Sequence, residues 1–101
     1  MGYVPLLFLG IIISIMGVIN LRGNLSTIHW YNRWKVSEAD APKYGKAMGL
    51  GTLIIGVSIA LTAALQMLLD SEIVYGITIA GTIIGAAVIL YAQLKYNKGI
   101  I

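Results

Sequence analysis

Three apolar stretches of about 19 to 23 residues, none holding a charged side chain, fill most of this 101-residue chain: Tyr3 to Leu21, Ala47 to Leu69 and Ile73 to Leu94. A helix rises about 1.5 Å per residue, so each stretch can cross a hydrocarbon layer about 30 Å thick. Backbone groups left unpaired in lipid are costly, which makes α-helix the expected form of all three. The expected fold is therefore all-α: an integral membrane three-helix bundle, a single membrane domain over residues 1–101. A content of 58% hydrophobic and 11% charged residues sets the chain apart from soluble domains. With no cysteine, disulfides and thiolate metal sites are excluded.

Charge placement sets an expected orientation. Arg22, Arg33, Lys35, Lys43 and Lys46 lie in the loop of residues 22–46, and Lys95 and Lys98 follow the third stretch. Neither Met1–Gly2 nor the Asp70-Ser71-Glu72 turn carries a basic residue. The positive-inside rule then predicts N-terminus out, loop in, turn out and C-terminus in. The first stretch has its positive charge after the apolar run rather than before it, so it reads as a retained anchor and not a signal peptide. Tyr3, Trp30, Tyr31, Trp34, Tyr44, Tyr75, Tyr91 and Tyr96 mostly fall near the expected boundaries, where amphipathic rings are favoured.

The second stretch carries two stripes on a 100° wheel. Gly45, Gly49, Thr52, Gly56, Ala60 and Ala63 form one; Ser58, Thr62 and Gln66 form another nearly opposite, with Gly51 beside them. Small residues let helices approach closely, and hydroxyl or amide groups bond across the contact. The second helix is thus expected between two neighbours, either the other two helices or copies of the chain. The first helix offers Gly10, Ser14 and Gly17; the third offers Thr78, Gly81, Gly85 and Ala92. Gly49, Gly56, Gly81 and Gly85 are the candidate packing residues, and Ser58, Thr62 and Gln66 are a candidate polar path if copies assemble.

The inner loop mixes rings and cations at His29, Trp30, Tyr31, Arg33, Trp34 and Lys35, as a segment facing lipid or a partner would. Its expected contact is anionic headgroups, each basic group contributing about 1 kcal/mol near such a surface. The same lipid accounts for both charge and rings, so nucleic acid is not an expected partner. Whether 28–36 is helical or extended is left open by its pattern. Ser37-Glu38-Ala39-Asp40 has the spacing of a capping box, and Pro42 favours a first turn. Asp40 as N-cap, with the helix opening at Ala41, meets both conditions.

Several motifs fail on inspection. Gly49-Leu50-Gly51 lacks the third glycine of a dinucleotide loop, which would fall at Ile54. Asn24-Leu25-Ser26 matches a glycosylation acceptor but lies on the expected inner side. The acidic residues divide between the two sides, and the one histidine stands apart from the helix hydroxyls. No catalytic, metal or cofactor site is expected. No ionisable group lies within the spans, as proton-coupled transport usually requires.

Tyr31-Asn32, Ser37, Lys43-Tyr44 and Met48-Gly49 resemble the loop pattern of a family of small prokaryotic three-span membrane proteins, the DUF3784 group. Trp30 replaces a usual glycine, and the spacing from Asn32 to Ser37 differs. A looser similarity, through a Ser-Glu step before a membrane helix, is to SdpI-type immunity proteins. The resemblance implies a prokaryotic cytoplasmic membrane and no particular activity. The leading expectation is a non-enzymatic accessory subunit acting through helix packing and its loop. The alternatives are a homo-oligomeric channel or small-solute transporter, and immunity against a membrane-active toxin.

Overall fold

A computed structural model describes residues 2–25 and 35–99. Among the described residues three α-helices follow one another: α1 (Val4–Leu21), α2 (Ala41–Leu69) and α3 (Tyr75–Ala92). There is no strand among the described residues. A 3-10 turn (Glu72–Val74) leads into α3, and a π-helical turn (Gln93–Asn97) extends it. The molecule measures 46 × 20 × 18 Å. All three helical segments are long and apolar enough to cross a membrane. At 29 residues α2 is about 44 Å long, longer than a hydrocarbon layer, so its first turns with Lys43 and Lys46 project beyond the apolar part.

The helix ends have local causes. At the end of α1, Gly23 takes a left-handed φ of 93°. Its N–H bonds to Asn20 O at 2.9 Å and that of Asn24 to Ile19 O at 3.2 Å. This pair of bonds is a Schellman closure, which needs a residue tolerant of positive φ at that place. The start of α2 differs from the expectation in one respect. Pro42 opens the helix and Asp40 precedes it, but the Asp40 side chain makes no capping bond and its backbone is already helical. Instead Ser37 Oγ accepts the Asp40 N–H at 3.2 Å, and Ser37 O accepts the N–H of Ala41 at 2.9 Å. The capping oxygen thus comes from Ser37, because the turn of 38–40 carries the helical path one residue too early for Asp40 to reach back. At its other end α2 stops at Asp70 in left-handed conformation, and Gln66 Oε1 accepts the Ser71 N–H at 2.8 Å.

Packing is organised around α2. Both α1 and α3 lie against it, while among the described residues no Cα of α1 comes within 8 Å of one in α3. Toward α1 the backbones nearly touch. A Cβ added at Gly49 would lie 2.5 Å from Leu21 N and 2.6 Å from Gly17 O. One at Gly56 would lie 2.5 Å from Ser14 N, and one at Gly10 would overlap Ala60. Toward α3, a Cβ at Gly85 would lie 2.6 Å from Gly51 O, and one at Gly81 would collide with the Ser58 side chain. Glycine at these places is what permits the approach, since dispersion contacts rather than water release hold helices together in lipid. The outward faces are the reverse: Phe8, Ile12, Ile15, Leu68, Ile79, Ile83 and Ile84 are all exposed.

Candidate functional site

The candidate site is the end of the helices where the 22–46 loop and the C-terminal turn meet. Its apolar base is Tyr44, Met48 and Ala92, with Leu25, Val36, Ile89 and Tyr96 packed around them. Above this base lie buried polar groups that join three parts of the chain. The Tyr44 hydroxyl, on α2, donates to Gln93 Oε1 in the π-turn. Asn97 Oδ1, also in that turn, accepts the backbone N–H of Lys35 at 2.9 Å. Asn97 Nδ2 donates to Gly99 O at 2.9 Å, folding the C-terminal turn over the cluster. Tyr44 and Asn97 are fully buried. Among the described residues no buried side-chain nitrogen or oxygen lacks a hydrogen bond. A satisfied buried network of this kind fixes one arrangement of loop and turn.

Around the cluster stand cations. A cleft of about 220 Å³ is lined by Leu21, Arg22, Gly23, Pro42, Lys43 and Lys46. A second, of about 290 Å³, is lined by Lys43, Lys46, Ala47, Leu50 and Tyr96. The two meet along the ridge of Lys43 and Lys46, three residues apart and thus on one helix face. Lys95 is engaged differently: its Nζ donates to Tyr91 Oη at 2.8 Å and lies 5.3 Å and 5.5 Å from the Tyr91 and Tyr96 ring centres.

The opposite end is simpler. The Tyr75 hydroxyl donates to Tyr3 Oη at 3.2 Å, and Tyr3 stands 3.5 Å from Asp70 Oδ1.

The residues singled out from the sequence fall as follows. Gly49 and Gly56 face α1; Gly81 and Gly85 face α2 from α3. Ser58, Thr62 and Gln66 each hold a bond within the chain. Ser58 Oγ donates to Ile54 O at 2.6 Å. Thr62 Oγ1 accepts from Thr78 Oγ1 at 2.7 Å and donates to Ser58 O at 2.8 Å. Gln66 holds the Ser71 turn. Thr62 is 0% and Gln66 2% exposed, whereas Ser58 is half-buried. Lys35 is exposed at the edge of the site, tied through its main chain to Asn97. His29, Trp30, Tyr31, Arg33 and Trp34 lie outside the described residues. Sequence reasoning missed Gln93 and Asn97, although two amides four apart around the end of the third apolar stretch were a visible signal. Tyr44, expected from the sequence as a ring near a membrane boundary, also has its hydroxyl buried against Gln93. Among the described residues no group of His, Asp or Glu could hold a metal ion. No family model, curated protein or solved structure matches this chain.

Proposed function

We propose that this chain is a multi-pass membrane protein, oriented N-out and C-in, that acts as a non-enzymatic accessory subunit and presents its loop end to a partner. One observation carries this reading. In an 18-residue apolar stretch of each segment only 17%, 22% and 17% of residues are buried by the rest of the chain, while among the described residues every buried side-chain nitrogen and oxygen is hydrogen-bonded. An apolar belt of that extent is stable in hydrocarbon and not in water. What remains for specific recognition is the loop end, where Arg22, Lys35, Lys43 and Lys46 gather. The resemblance of the loop to the three-span family points to a prokaryotic cytoplasmic membrane. The hydroxyls of Ser58 and Thr62 and the amide oxygen of Gln66 already hold bonds within the chain, which supports the accessory reading over the channel.

The absence of native cysteine makes the test direct. With Glu72→Cys, an impermeant maleimide is expected to label intact cells; with Glu38→Cys, labelling is expected only after lysis. The reverse pattern would overturn the orientation. Replacing residues 26–34 by a Gly/Ser linker of equal length should abolish cross-links to a second protein in native membranes. Cross-links that survive unchanged would remove the loop from the proposal.

A further inference from the structure

The two clefts beside Lys43 and Lys46 differ in character in a way that fits one class of molecule. The first is the more polar of the two and is bordered by three cations, Arg22 at the end of α1 and Lys43 and Lys46 at the start of α2. The second descends from the same two lysines along Ala47 and Leu50, with the Tyr96 ring as its far wall. Among the described residues no ion pair involves Arg22, Lys43 or Lys46. Lys95, by contrast, is already bound to a tyrosine oxygen and two rings. Three cations around one small hollow repel one another unless an anion sits among them, and the hollow lies at the end of the apolar belt, at headgroup depth.

We infer that these joined clefts bind an anionic phospholipid, its phosphate among Arg22, Lys43 and Lys46 and an acyl chain along Ala47 and Leu50 against Tyr96. Each cleft alone is smaller than the usual ligand pocket of about 300 Å³ or more, whereas a headgroup and the first part of its chain need both. The inference deepens the membrane reading and rests on it. The lipid would lie across the α1–α2 junction, bridging Arg22 of one helix to the lysines of the other. It would also neutralise the charge that otherwise opposes the close approach of Gly45 to Asn20 O.

Native mass spectrometry of the purified protein in mild detergent tests this, with phosphatidylglycerol and phosphatidylcholine of identical chains supplied in equal amounts. One phosphatidylglycerol should be retained in preference to phosphatidylcholine by about tenfold. The R22Q/K43Q/K46Q variant should bring the ratio to parity, while K95Q/K98Q should leave it unchanged. Equal retention by the wild type, or an undiminished preference in the triple variant, would overturn the site. The wild-type preference should also fall at about 0.5 M salt, a reading that needs no mutant to fold. If inorganic phosphate displaced the lipid completely, the site would be one for a free anion and the lipid assignment would fail. A micelle has no inside or outside, so failure here is a separate result from reversed maleimide labelling.

Discussion

The two faces of α2 do the same task with different chemistry. Its contact with α1 is backbone on backbone: Gly49 against Gly17 and Leu21, Gly56 against Ser14, Ala60 against Gly10. The Ser14 hydroxyl beside Gly56 turns back to Gly10 O within its own helix at 2.7 Å. Its contact with α3 also has a close backbone approach, Gly51 against Gly85, but adds a hydroxyl chain from Thr78 through Thr62 to Ser58 O. The α1 contact is led by the fit of backbone to backbone, whereas the α3 contact adds directional bonds between hydroxyls. Contacts of the first kind tolerate no added atom; those of the second kind are adjustable where a side chain, not main chain, is the neighbour.

The sharpest way to break this contrast is to fill the α1 face. Gly49→Val should be the most damaging change, because both near atoms, Leu21 N and Gly17 O, are backbone and cannot turn aside. Overpacking of this sort costs about 3 kcal/mol, read as a lower denaturant midpoint in mixed micelles. A compensating small residue on α1 is not available, since position 17 is already glycine.

On the α3 face the same kind of insult should be reversible. Gly81→Ala meets the Ser58 side chain, and its cost, about 1–3 kcal/mol alone, should shrink when combined with Ser58→Gly. A double-mutant cycle with no coupling would refute the claim that the obstacle at Gly81 is a side chain. The smallest effect is expected from the hydroxyls. Thr78→Val removes one interhelical bond and should cost about 0.6 kcal/mol, the usual worth of such a bond in membranes. Ser14→Ala, which removes only an intrahelical bond, should be nearly silent by the same unfolding measurement.

These faces also show what a sequence of this kind reveals. Length and absence of charge specify three helices apolar enough to cross a membrane, because no other backbone form satisfies its hydrogen bonds in lipid. The wheel separates Gly49 and Gly56 from Thr62 and Gln66, since helical periodicity decides which residues share a face. It does not say which neighbour each face meets; that follows from short connections and from the fit of one backbone to another. The loop-end cluster was harder to see. Tyr44, Gln93 and Asn97 meet across 49 and more residues, and a hydrogen bond between distant side chains leaves no period in the sequence. Ser37, Gly23 and Gln66 act through single local bonds whose partners are fixed only once the chain turns.

That α1 and α3 do not approach each other bears on how the protein is made. Among the described residues every close helix contact joins neighbours in chain order, α1 with α2 and then α2 with α3. The α1–α2 pair can settle while the ribosome is still adding residues beyond Asp70, and α3 then docks onto a surface already finished. Assembly need not wait for the last segment to emerge, and no earlier contact has to be undone when it does.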